Sequence, residues 1–307
     1  MLLVFGSLNV DYVTFVPRAP RPGETVQGTR FAMHPGGKGA NQAYAAARLG
    51  AGVRLIGRVG RDPQGEWLLS HLQAGGVDIS TVGRVDTAGT GIALIVVDGQ
   101  GQNSIVVVAG ANGTWSARDV EQESARMQGA RVVLVQLETP IDAVEAAVGV
   151  ARRAGATVLL DPAPARPLPD GLLHGVDFLT PNESELAVLC GEDPGELRDD
   201  EAIALADRIR QRGVARVIAK LGARGALLVG PDGERHRWPA FDVPAIDTTA
   251  AGDAFNAALA VSLAEGASLE AAGRFACAAA AQSVTREGAQ TGMPTRDEVD
   301  VLLSSGA

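Results

Sequence analysis

The chain has 307 residues, 46% of them hydrophobic and 21% charged, with a formal net charge of -9. That length supports either one large α/β domain or a main domain with a small appendage, and the acidic balance argues against the clustered positive charge of a nucleic-acid or anionic-membrane surface. Its 2 cysteines, Cys190 and Cys277, lack CxxC spacing and its 4 histidines are scattered, which excludes a disulfide framework and a zinc site.

Short β-branched runs alternate with helical patterns along most of the sequence. The N-terminal run lacks a basic start and meets Asp11 too soon for a secretory leader, and no stretch reaches the ~20 apolar residues of a membrane span. A cytoplasmic protein with reduced thiols is therefore expected. Strands are predicted at 2–9, 53–60, 131–138, 157–162, 177–182 and 216–222. Apolar residues at three- and four-residue spacing predict helices over 39–49, 63–74, 141–154 and 201–212. Such alternation predicts an α/β fold, a central, mostly parallel sheet covered by helices on both faces.

Two segments break the rhythm. Residues 10–34 and 90–108 show strands without intervening helices, and the second reads as a hairpin turning at DGQGQN. They predict a small separate sheet that serves as a lid or an oligomer surface. From about 250 to 288 the chain reads as almost wholly helical and rich in alanine. The expectation is a single domain over 1–307 with the lid inserted in it.

Ligands of open parallel sheets bind beyond the carboxyl ends of the strands, so the strand-end motifs carry the functional reading. In GSLNVD (6–11), Asn9 and Asp11 share one face of an extended chain and suit neighbouring hydroxyls of a polyol, or simply a turn. PGGKGANQA (35–43) sets Gly37 and its neighbours, then Lys38 and Asn41, at a helix start, where backbone and side-chain donors approach a ligand. Its spacing is not that of a Walker A, nor does the first strand carry the dinucleotide fingerprint of a dehydrogenase. Glu138 closes the strand VVLVQLE and faces the crevice, or else is a solvated strand end or a helix cap before Pro140. In TPNESE (180–185), Asn182 and Glu185 fit a capping box, or a phosphate contact and water-bound Mg²⁺. KLGARG (220–225) is a turn between strands, or a loop on which a nucleotide lies.

The stretch DTTAAGDAF (247–255) is the most informative. Ala250, Ala251 and Gly252 leave the amides of a helix start uncovered, which with the helix dipole suits a phosphate whose charge grows during transfer. A carboxylate beside that hole, Asp253, would repel a bound anion. It makes sense as a base that takes a hydroxyl proton as the oxygen attacks phosphorus, with plain helix capping as the alternative.

Together these motifs, with GETVQG (23–28), QLETP (136–140), DPAPARPLPD (161–170) and AAAAQSVTREGAQTGMP (278–294), resemble the ribokinase (PfkB) family of carbohydrate kinases nearly end to end. The resemblance implies transfer of the γ-phosphoryl of ATP to the O5 hydroxyl of D-ribose, with Asp253 as base and the N–H groups of 250–253 as anion hole. It implies sugar contacts from Asn9, Asp11, Gly37, Lys38, Asn41 and Glu138, and nucleotide or phosphate contacts from Asn182, Lys220, Gly222, Gly225, Gly252 and Cys277. Glu185 would hold Mg²⁺ through water. Asp247, Thr249, Ser283, Arg286, Gly288 and Gly292 match the positions around a monovalent cation, usually K⁺. At Lys220, Cys277 and Gly292 this chain departs from the family's commoner residues. The two strand-only segments match the family's lid, which implies a homodimer formed through it. The other readings are a kinase of fructose, 2-deoxyribose, 2-keto-3-deoxygluconate or adenosine on the same fold, and a non-catalytic sugar or nucleotide sensor.

Overall fold

The computed structural model describes residues 1–305. Thirteen strands occur among the described residues: β1 (Leu2–Phe5), β2 (Asn9–Phe15), β3 (Arg30–Gly36), β4 (Val53–Gly60), β5 (Val82–Val85), β6 (Gly91–Val97), β7 (Asn103–Val108), β8 (Val132–Gln136), β9 (Thr157–Asp161), β10 (Phe178–Leu179), β11 (Arg216–Lys220), β12 (Ala226–Val229) and β13 (Arg235–Trp238). Nine of them make one sheet in the order β13-β12-β11-β10-β9-β8-β1-β4-β5. The seven from β5 to β11 run parallel, and β12 and β13 extend the edge as antiparallel neighbours. β1 pairs in register on both sides, Val4 opposite Leu55 and Leu134.

Alternation along these strands builds two cores, one on each face. Leu2 and Val4 of β1 point into one, with Leu55 and Leu134, while Leu3 and Phe5 point into the other, with Val133 and Val135. Each fully buried aliphatic side chain of this kind stabilises the fold by about 1.5–3 kcal/mol. The first core is closed by the helices Lys38–Arg48, Ala251–Glu265 and Leu269–Ser283, whose many alanines let them pack closely. The second is closed by the helices Ile141–Arg153 and Asp199–Gln211. None of the helices among the described residues is long and apolar enough to cross a membrane.

The remaining four strands form a second sheet, β3-β2-β6-β7. It is built from the two segments predicted without helices, and its hairpin turns where Asp98 N–H donates to the Gln102 carbonyl. One face carries Asn9, Asp11, Ala93, Ile95, Ile105 and Val107 toward the end of the main sheet. The opposite face leaves Phe31, Met33, Leu94, Val106 and Val108 in solvent.

Two expectations need correction, and two strands were not foreseen. The run 2–9 is two strands, because the chain leaves the main sheet at Gly6–Leu8 and enters the lid at Asn9. The run 177–182 keeps only Phe178 and Leu179 in the sheet, since Asn182 already caps the next helix. Short β5 and the polar edge strand β13 carry too little alternation to be read in advance.

Candidate active site

At the carboxyl ends of the parallel strands lies a cavity of about 610 Å³, roofed by the inner face of the lid. Side chains from every strand-end motif reach it: Asn9 and Asp11, Lys38 and Asn41, Glu138, Asn182 and Glu185, Lys220, and Asp253. The glycines of the second motif earn their places sterically. Gly37 has φ 87, and a Cβ there would stand 2.7 Å from the Asn9 nitrogen. A Cβ on Gly39 would meet the Ser7 nitrogen at 2.6 Å, so only glycine lets this helix start lie against the end of β1.

Asp253 sits at the first turn of the helix Ala251–Glu265 and is 4% exposed. It does not cap the helix. Its Oδ2 accepts from Asn41 Nδ2 at 3.0 Å and its Oδ1 from Gln42 Nε2 at 3.0 Å. Gln42 uses the same amide nitrogen to donate to Asp161 Oδ2 at 3.0 Å, while its own carbonyl accepts from Gln136 Nε2 at 2.6 Å. Gln290 Nε2 fixes Asn41 by donating to its Oδ1 at 3.1 Å. Burial pushes the Asp253 carboxyl above its ordinary value; Lys38 opposes this, and the Asp161 charge adds to it. A carboxylate so held, aimed by two amide donors, is fit to accept a proton.

The helix begins at Ala250, a left-handed residue with φ 61 and ψ 15. Of the four amides expected to be uncovered, that of Ala251 donates to the Thr248 carbonyl at 3.2 Å. Those of Ala250, Gly252 and Asp253 have no partner among the described residues. Unpartnered amides at the positive end of a helix are suited to an anion.

On the lid side, Asn112 donates through Nδ2 to the Asn9 Oδ1 at 2.8 Å and accepts from the Leu8 N–H at 2.9 Å, so it fixes the entry of β2. Asp11 is pushed up to about 7 by burial first, then by the charges of Glu138 and Asp253. Glu138 accepts from the Ser7 hydroxyl and from the Lys38 N–H. Burial works against the Lys38 ammonium, but Asp253, Asp161, Glu138 and Glu185 outweigh it and hold its pKa above the ordinary lysine value.

At the other end, Asn182 and Glu185 do form a capping box: Glu185 N–H donates to Asn182 Oδ1 at 2.8 Å, and Asn182 N–H to Glu185 Oε2 at 2.7 Å. Capping and lining the cavity coexist here, because the helix N-terminus points into it. Gly222 and Gly225 form the left-handed turn between β11 and β12, and a side chain on Gly225 would press on the Ala240 nitrogen at 2.6 Å. Phe241, Val243, Ala281 and Val284 add an apolar wall, together with Cys277, whose thiol burial pushes up to about 12.

Beside the helix start, Asp247 accepts from Thr249 N–H at 2.9 Å and from Gly288 N–H at 2.8 Å. Partial burial opposes its charge, but these hydrogen bonds hold the carboxyl below its usual range. A Cβ on Gly292 would stand 2.8 Å from the Ser283 carbonyl oxygen and 3.6 Å from that of Arg286. The Arg286 side chain turns away, to Glu298 at 2.5 Å. Of these six residues only Thr249 lines the cavity.

Gln42, Asp161, Gln136, Asn112 and Gln290 were not singled out from the sequence. Gln42 and Asp161 lie inside quoted motifs, GGKGANQA and DPAPA, but nothing in their spacing tells that they meet across a separation of 119 positions. Gln136 and Gln290 lie inside the quoted QLETP and AAAAQSVTREGAQTGMP, which say nothing of their partners, and Asn112 carries no local signal.

Comparison with known proteins matches this geometry. Residues 1–296 match the family described as pfkB family carbohydrate kinase. A ribokinase of Haemophilus influenzae is 42% identical over 97% of this chain and 96% of its own length. One of Bacillus subtilis is 42% identical over 99% of each chain. The solved structure of an Arabidopsis thaliana ribokinase complexed with ribose and ATP superposes with a TM-score of 0.90 at 35% identity, covering 98% of both chains. By fold, by the residues that meet in the cavity and by relationship along nearly its whole length, this chain belongs to the pfkB family of carbohydrate kinases.

Proposed function

We propose that the protein transfers the γ-phosphoryl group of ATP to the O5 hydroxyl of D-ribose. The observation that carries this is Asp253: a buried carboxylate, aimed by Asn41 and Gln42, beside unpartnered amides and in the same cavity as Asn9, Asp11 and Lys38. The relatives named as ribokinases, and one solved with ribose and ATP, support the choice of substrates.

Ribose binds under the lid, its hydroxyls taken by Asn9, Asp11, Lys38, Asn41 and Glu138, with the Gly37 backbone alongside. The triphosphate runs from the anion hole at Ala250–Asp253 past Asn182 and Lys220, and the base lies against the Gly222–Gly225 turn and Cys277. Asp253 takes the O5 proton as that oxygen attacks phosphorus, and the helix amides receive the growing negative charge. Closure of the lid excludes water, so that ribose and not water receives the phosphoryl group.

Glu185 fits Mg²⁺ held through water: its second carboxylate oxygen remains beside the phosphate path, and Mg²⁺ takes few protein carboxylates. When bound, Mg²⁺ neutralises phosphate charge. The Gly292 cradle fits K⁺, because the missing Cβ leaves the Ser283 and Arg286 carbonyls clear, with Asp247, Thr249 and Gly288 closing the loop junction. K⁺ there would strengthen the anion hole without touching phosphate. The chain works as one domain in the cytoplasm, and pairs with a second copy through the outer lid face, where Phe31 and Val106 are each 61% exposed.

The test is ATP consumption across ribose, 2-deoxyribose, fructose and adenosine, with and without K⁺. Stimulation by ribose above the other acceptors is expected. A rate unchanged by ribose overturns the substrate assignment, and no rate with any acceptor turns the site into a sensor.

A further inference from the structure

The cavity is poor in positive charge. Five carboxylates line it, Asp11, Glu138, Asp161, Glu185 and Asp253, against two cations, Lys38 and Lys220. A triphosphate entering such a site needs compensation where charge accumulates. Lys38 starts the sugar-side helix, where the charges of four of those carboxylates favour its ammonium form. Lys220 stands elsewhere. It ends β11, and its N–H is fixed by the Pro181 carbonyl at 2.8 Å. Its side chain is 14% exposed, and its Nζ meets Asp161 Oδ1 at 3.1 Å. The same Nζ lies 3.2 Å from where a Cβ on Gly252 would be. The ammonium is thus packed against the helix start whose amides are unpartnered.

We propose that Lys220 is a catalytic residue whose ammonium contacts the migrating phosphoryl group at Gly252, and that Asp161 is its positioning residue. This rests on the phosphotransfer reading above and deepens it. In the transfer, the bond from the γ-phosphorus to the ADP oxygen breaks, the bond to the sugar oxygen forms, and the hydroxyl proton goes to Asp253. Lys220 takes no part in the bond changes and supplies only charge. Asp161 holds one carboxylate oxygen to Lys220 and the other to Gln42, whose same amide nitrogen holds Asp253. One side chain therefore sets the distance between the cation and the base, across the end of two-residue β10.

A plain staple between β9 and β11 would also explain an ion pair at this place, and removing one partner of a buried pair destabilises by itself. The decisive variant is D161N/K220M, in which neither charge remains to be left unpaired, measured against D161N alone with Mg²⁺ and ATP present. We expect kcat about a hundredfold below that of D161N, with ribose and ADP affinities within about threefold. We also expect a comparable loss of affinity for ADP with aluminium fluoride and ribose, a stand-in for the phosphoryl group in flight. A double variant whose kcat matches D161N, or whose loss lies wholly in ribose or ADP binding, overturns the assignment and leaves a staple. Absence of ribose-dependent ATP consumption in the unaltered protein would defeat the phosphotransfer reading instead, so the two failures are distinct.

Discussion

The cleft end of the main sheet and the outer face of the lid invert the usual partition of side chains in opposite senses. At the cleft, Asp161, Asp253, Gln42, Gln136 and Asn41 are shut away from water, in a hydrogen-bonded network that leaves Gln136 Oε1 without a partner. On the lid, Phe31, Met33, Leu94, Val106 and Val108 are left in it. Neither arrangement is what stability alone would select, since buried charge costs desolvation and exposed apolar area forgoes burial. Elsewhere the molecule is conventional, with β8 buried along its entire length on both faces. The roles proposed above fall where the partition is reversed.

The largest effect should come from breaking the cleft. Asp253→Asn removes the proton acceptor, and kcat should fall a hundredfold or more, while ribose and ATP still bind. Near-normal turnover would return Asp253 to a structural part in the first turn. On the lid the expected consequence is assembly and not chemistry. Val106→Asp with Leu94→Asp should shift a dimer to monomer in sedimentation, leaving Tm of the monomer within a few degrees. These two residues face each other across β6 and β7, on the side away from the cavity. An unchanged sedimentation profile would show that the second copy docks elsewhere.

Asp11 connects the two regions, since it stands on the lid and titrates because of the cleft. Its folded pKa, about 7, lies above the ordinary carboxyl value near 4. The native state binds the proton more tightly, so this contribution to stability is intact below pH ~4 and is lost as pH rises through about 7. Asp11→Asn should therefore raise Tm by a few degrees at pH 8 and by almost nothing at pH 4. Ribose affinity of the parent should weaken as pH falls below 7, and that pH dependence should vanish in the variant. A Tm gain that does not grow with pH would show that Asp11 is solvated.

Much of the fold was legible because parallel strands buried on both faces read as continuous apolar runs; 53–60 and the helix 63–74 fall where their spacing puts them. The lid strands were equally visible, but not which face stays wet: IVVV of β7 looks like VVLV of β8, and only the covering helices distinguish them. At the site, residues that face a ligand were readable from motif chemistry. Their supports were not. Gln42, Asp161 and Asn112 do their work by meeting residues more than 100 positions away, and long-range pairing leaves no periodic trace in one sequence. The capping box of Asn182 and Glu185 shows the converse, a local signal fully realised beside the cavity.

The smallest effect concerns Ala250, whose φ of 61 places an ordinary side chain in left-handed backbone at the head of the anion hole. That conformation costs an L-residue roughly 1–2 kcal/mol, of which glycine would recover most while adding about 0.5–1 kcal/mol of chain entropy to the unfolded state. Ala250→Gly should thus stabilise by about 0.5 kcal/mol, a Tm rise near 1–2 °C. Turnover should fall two- to fivefold, because the amide directions are no longer enforced. Asp232→Gly provides the contrast: φ is 52 in an exposed turn remote from the cleft, so the backbone is relieved and the rate stays level. If both variants left turnover untouched, the strain at 250 would be an accident of chain reversal and not a means of aiming the amides. If only Ala250→Gly slows the reaction while it stabilises the fold, left-handed alanine is strain kept for catalysis, the backbone counterpart of the buried carboxylate three residues on.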